Sequence, residues 1–144
     1  MLSNRSMPAC AVIPELAYPD VETATIWLCG AFGFRPRLRI GSHRAQLVIG
    51  GGAVVLTELA PGEARQPTGA AGFAHAVMVR VHDIDGHYAH ARKRGAEIVR
   101  PPADFPYGER QYTARDLGGH VWVFSETIAD LAPEEWGGTA EPGA

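Results

Sequence analysis

Hydrophobic positions along this chain change period in a fixed order, and the order occurs twice. Ala11 to Tyr18 is apolar enough for a buried strand, and Pro19-Asp20 breaks it. Val21, Ala24, Trp27, Leu28 and Ala31 then recur at three and four, the spacing of one helix face. Asp20 is the expected N-cap, offering a side-chain oxygen to the free amides of the first turn, with Glu22 favourable beside the helix dipole. Gly30 and Gly33 are expected to end the helix. From Phe34 onward Arg35, Arg37 and Arg39 alternate with Pro36, Leu38 and Ile40, the period of a half-exposed strand. Gly41-Ser42-His43 turns the chain, Arg44 to Ile49 predicts a third strand, Gly50-Gly51-Gly52 turns it again, and Ala53 to Glu58 predicts a fourth. The first half reads βαβββ.

Residues 59–72, rich in Gly and Pro, read as a linker, after which the pattern restarts. Phe73 to Val81 predicts a strand and His82-Asp83 a break. Ile84, Tyr88, Ala89 and Ala91 give a helix face ending at Gly95. Ala96 to Val99 predicts a short strand, Pro101 to Gly108 a proline-rich loop, and Glu109 to Arg115 and Gly119 to Ser125 the last two strands. Pro19-Asp20-Val21 followed by Gly33 matches His82-Asp83-Ile84 followed by Gly95, which points to an internal duplication. The expected organisation is a lead-in over 1–10, one domain over 11–126 with halves 11–58 and 73–126, and a tail over 127–144.

Composition narrows the function. With 144 residues, 46% hydrophobic and 20% charged, the chain suits one globular core, and 17 Gly with 11 Pro favour a turn-rich α+β fold. A net charge of −3 argues against nucleic acid or anionic membrane as the partner and favours a neutral or cationic small molecule. No apolar run of ~18 residues and no long apolar leader is evident, so a cytoplasmic protein with Cys10 and Cys29 as free thiols is expected. Phosphate-cradle and nucleophile-elbow patterns are missing as well.

Several motifs together resemble the glyoxalase, bleomycin-resistance and extradiol dioxygenase (vicinal oxygen chelate) superfamily. They are Ile13-Pro14-Glu15-Leu16 leading to Asp20-Val21, Ala31-Phe32-Gly33-Phe34, His82-Asp83-Ile84-Asp85, Arg94-Gly95-Ala96-Glu97-Ile98, and Asp116-Leu117-Gly118-Gly119-His120-Val121-Trp122. The resemblance implies two βαβββ modules forming a curved mixed sheet around a concave pocket, with helices outside, and a homodimer. It also places the metal ligands of the family's enzymes at Ile13, Leu56, Ala76 and Val123. None of these four side chains can ligate a metal, so no metal and no other cofactor is expected. A strand slip that recruits His75 and Glu58 is the route back to a divalent metal.

If Ile13 and Ala76 face the cup, alternation puts Glu15, Met78 and Arg80 there, with Val77, Val79 and Val81 packed beneath a helix. Glu15 and Arg80 are candidates to meet each other or to hold opposite ends of a ligand. The remaining candidate ligand contacts are Leu56, Glu58, Val123 and Ser125 on the fourth and eighth strands, and the rings of Phe105, Tyr107 and Tyr112 beside the proline-rich segment. His120 reads as a packing residue, His82, His87 and His90 as exposed, and Trp27 and Trp122 as core. The function this supports is metal-independent binding and sequestration of an aromatic or cationic compound. The alternative is an enzyme of the same superfamily (lyase, isomerase or cyclase, or dioxygenase) using a pocket carboxylate or a divalent metal.

Overall fold

The computed structural model describes residues 2–60 and 73–143, so most of the expected linker lies outside the described residues. The chain forms two four-stranded mixed sheets, each crossed by one helix. The first module runs β1 (Glu15–Tyr18), α1 (Val21–Phe32), β2 (Arg35–Ile40), β3 (Arg44–Ile49) and β4 (Gly52–Glu58). The second runs β5 (Val77–Arg80), α2 (Ile84–Lys93), β6 (Glu97–Phe105), β7 (Glu109–Arg115) and β8 (Val121–Thr127). A 3-10 turn, Pro133–Trp136, lies in the tail. Strand orders are β1-β4-β3-β2 and β5-β8-β7-β6, with the first pair of each sheet parallel and the others antiparallel, so the duplication read from the sequence is a duplication of topology.

Local chemistry sets the helix ends. The Asp20 carboxylate accepts from the Thr23 amide at 3.1 Å, and Asp83 accepts from Gly86 at 3.1 Å. Gly33, at φ 87, closes α1 in the left-handed conformation that only glycine enters without penalty, whereas Gly30 lies within the helix. Val21, Ala24, Leu28, Ala31 and Phe32 bury the inner face of α1 against Leu16, Leu47 and Leu56, and Ile84 and Ala91 bury that of α2.

Two strands depart from simple alternation. A bulge between Pro36 and Leu38 shifts the phase of β2, so Arg35 pairs with Val48 but Leu38 pairs with Gln46 and Arg39 with Ala45. Arg39 therefore goes to the helix side with Val21 and Ile26, while Arg37 stands at the bulge. The segment expected to loop from Pro101 is instead part of β6, which runs to Phe105 with two irregularities. As the outermost strand it needs no partner on one side, which is where proline can sit in a sheet.

The modules join through buried polar contacts. Tyr18 of β1 hydrogen-bonds Asp116, and the His120 ring donates from Nε2 to the Ala17 carbonyl at 2.7 Å. His87, expected to be exposed, is half-buried between the helices. Its Nε2 donates to the Phe32 carbonyl at 3.0 Å, so its Nδ1 accepts from the Tyr112 hydroxyl. His90 donates to the Gly30 carbonyl at 2.7 Å, satisfying another carbonyl freed by the end of α1.

Candidate functional site

Strand register decides which side chains face the cups. On β5, Val77 and Val79 pack inward, while Met78 and Arg80 point the other way and are exposed. Their β8 partners are Val123 and Ser125, whose β7 partners are Thr113 and Gln111, and Glu109 pairs with Thr127. Alternation thus brings Met78, Arg80, Glu109, Gln111, Val123, Ser125 and Thr127 onto one face of the second sheet.

The polar members form a chain of contacts. Arg80 donates to the Thr127 hydroxyl at 2.6 Å, Gln111 donates to the Ser125 hydroxyl at 3.0 Å, and that hydroxyl donates to the Glu109 carboxylate at 2.6 Å. Desolvation pushes the Glu109 carboxyl up, but hydrogen bonds from Ser125 and Thr127 and the charge of Arg80 outweigh it, and the net shift is downward. Glu109 is therefore ionised at neutral pH. Phe105, the β6 partner of Glu109, begins a row of rings. Tyr107 stacks on Phe105 with centroids 5.5 Å apart, meets the Trp136 edge at 5.6 Å, and donates from its hydroxyl to Gln111 at 3.2 Å. Gly108, at φ 82, lets its carbonyl accept from Ile128 at 2.8 Å and Ala129 at 3.2 Å, which folds the tail back toward the rings. A cavity of about 580 Å³ opens beside β5, lined by Val12, Pro14, Phe34, Val54 and Trp122, and reaches this face at Met78 and Arg80.

The structure thus unites Met78, Arg80, Phe105, Tyr107, Val123 and Ser125 and separates the other candidates from them. Leu56 is fully buried, pairs with Leu16 and belongs to the core beneath α1, because β4 runs one residue out of the expected phase. Glu58, in phase with Leu56, is exposed at the strand end. Tyr112 is 1% exposed and stacks on Phe124 on the helix side of its sheet, where burial raises its pKa. Glu15 does face away from the core, but its nearest cation is Arg44 at 3.8 Å rather than Arg80. Glu109, Gln111 and Trp136 were missed. Glu109 and Gln111 follow by alternation once Ser125 is placed, whereas Trp136 arrives through a tail with no periodic signal.

The metal positions implied by the resemblance do not fit a divalent ion. Ala76 and Val123 carry no donor, and the β4 residues that share the Glu15 and Ala17 face are Val55 and Thr57. Among the described residues no three His, Cys, Asp or Glu side chains gather where one ion could be held. Glu15 and Glu58, the carboxylates expected near the pocket, are both exposed.

Comparison with known proteins agrees with this architecture. A family model described as the Glyoxalase/Bleomycin resistance protein/Dioxygenase superfamily matches residues 10–124. The crystal structure of TioX from Micromonospora sp. ML1 is 40% identical, covers 83% of this chain and 100% of its own, and superposes with a TM-score of 0.67. Fosfomycin resistance protein FosX from Mesorhizobium loti, at 19% identity, 83% and 93% coverage and a TM-score of 0.61, shares the fold. An uncharacterized protein of Mycobacterium bovis is 25% identical over 134 residues, 87% of this chain and 88% of its own length.

Proposed function

This chain belongs to the Glyoxalase/Bleomycin resistance protein/Dioxygenase superfamily, and from that premise we propose that it is a metal-independent small-molecule-binding protein that sequesters an aromatic or cationic compound. The observation that carries the reading is the Phe105, Tyr107 and Trp136 wall standing beside the ionised Glu109. Ring faces attract flat and cationic ligands, a carboxylate complements a cation, and the apolar cavity beside Met78 accepts the rest of a drug-sized molecule. Gln111, Ser125 and Arg80 supply orientation through donors and acceptors already held in place.

The protein acts in this reading as a cytoplasmic homodimer. Among the described residues, β1 and β5 each end a sheet with one side unpaired, and no helix is long and apolar enough to cross a membrane.

The test is a titration of tryptophan emission with proflavine, a planar aromatic cation, in the presence and absence of EDTA, with Trp136→Phe as the control that separates Trp136 from Trp27 and Trp122. Saturable quenching that is indifferent to EDTA and weakened in Tyr107→Ala is expected. Stoichiometric metal in chelator-free protein, or thermal stabilisation that grows with added nickel, zinc, manganese or iron, would overturn the metal-independent reading.

A further inference from the structure

The concave face of the first module is not empty. Residues 4–7 make a tight turn in which the Met7 amide donates to the Asn4 carbonyl at 3.2 Å and the Ser6 amide to the Asn4 side chain at 2.9 Å. The turn aims three successive carbonyls at two side chains of the sheet. Arg37 donates from Nη2 to the Arg5 carbonyl at 2.9 Å and the Met7 carbonyl at 3.0 Å, and Gln46 donates from Nε2 to the Ser6 carbonyl at 2.8 Å. Arg37 also donates from Nη1 to the Gln46 side-chain oxygen, which fixes the two donor groups relative to each other. Gln46 is 5% exposed, and the β2 bulge is what delivers Arg37 to its side.

The turn is held mainly through its backbone carbonyls, with one side-chain contact, the Met7 sulfur at 4.0 Å from Gln46 Nε2. Residues 2–7 are all exposed and only Pro8 is buried, so undocking uncovers little apolar surface. The segment also lies outside the stretch matched by the family model, which begins at residue 10.

We propose that Arg37 and Gln46 form a binding site for a tight peptide turn presenting converging carbonyls, and that Asn4–Met7 is its built-in, detachable occupant. A guanidinium and a carboxamide are donors at these atoms, so the site selects carbonyl oxygens, with the Met7 sulfur as a weaker side-chain acceptor beside them. A peptide of the same backbone chemistry replaces the segment when it lifts away. This site does not depend on what the second module binds.

The experiment uses a fluorescein-labelled, C-terminally amidated peptide of residues 2–9 and a chain lacking those residues, followed by fluorescence anisotropy. Saturable binding to the shortened chain is expected, with binding to the intact chain weaker by about tenfold or more because its own turn competes. Arg37→Met and Gln46→Leu in the shortened chain should each abolish binding. Equal affinity of the intact and shortened chains, or no binding to a folded shortened chain, overturns the proposal. If the shortened chain does not fold, trypsin cleavage after Arg5 in the intact protein decides. Arg37→Met and Gln46→Leu should speed it by about tenfold, and unchanged rates overturn the proposal.

Discussion

The Tyr18 hydroxyl, from the last residue of β1, donates to the Asp116 carboxylate just beyond β7, so one buried acid fastens the two modules. The same carboxylate accepts from the Trp122 indole at 2.9 Å and from the Gly118 and His120 amides at 2.9 and 3.0 Å. Burial, with Asp116 beside it, holds the Tyr18 hydroxyl protonated far above its ordinary range. Asp116→Ala strands several donors at once and should cost about 3–5 kcal/mol, whereas Tyr18→Phe removes one of four and should cost about 1 kcal/mol. Urea unfolding measures both. Equal midpoints would show that the carboxylate is not the anchor.

His87 makes stability depend on pH. Desolvation lowers its pKa against the opposing effect of the Phe32 carbonyl, so the native state keeps it neutral where the unfolded chain takes up a proton. Its contribution is full above the ordinary imidazole pKa of about 6.5 and is lost as pH falls from there through the lower native value. His87→Gln should flatten that part of the stability curve. A slope unchanged by the substitution would assign the acid sensitivity elsewhere.

Gly108 should not tolerate a side chain. Its φ of 82 costs an L-residue about 1–2 kcal/mol, and an added Cβ would lie 2.3 Å from the Ala129 carbonyl oxygen. Gly108→Ala should therefore displace the tail, which the share of tryptophan emission lost in Trp136→Phe and proteolysis after residue 127 will report. An unaltered emission spectrum would mean that the tail is held by other contacts.

In the cup, Tyr107→Ala and Glu109→Gln should each weaken proflavine by roughly 1 kcal/mol, about fivefold, through loss of ring stacking and of charge respectively. Raising ionic strength should reduce the second effect and spare the first. If Glu109→Gln binds as tightly as the parent, the carboxylate serves the Ser125 network alone.

Periodicity and turn residues sufficed for the element order, because Asp20, Asp83, Gly33 and the hairpin glycines act locally. Faces were harder. Met78, Arg80, Val123 and Ser125 fell on the cup because β5 and β8 alternate without interruption. Leu56 did not, since a one-residue error in β4 exchanges core for surface, and the bulge that turns Arg39 to the helix side depends on pairing with β3, which the sequence of β2 alone does not carry. Tyr112 and His87 look like surface chemistry in sequence, yet each satisfies the other in the interior. The Trp136 contact depends on the path of the tail after Gly108, which no local pattern encodes.

The prolines divide the four sheet edges into two kinds. Pro36 lies in β2 and Pro101 and Pro102 in β6, the strands that end the two sheets on one side, while β1 and β5, which end them on the other, contain none. A strand arriving at β2 or β6 meets gaps in the row of amide donors, whereas one arriving at β1 or β5 meets a complete row. Strand addition is thereby favoured at the β1 and β5 edges among the described residues, and open-ended stacking into fibrils, which needs a receptive edge at both ends of a sheet, is disfavoured by the prolines at the other end.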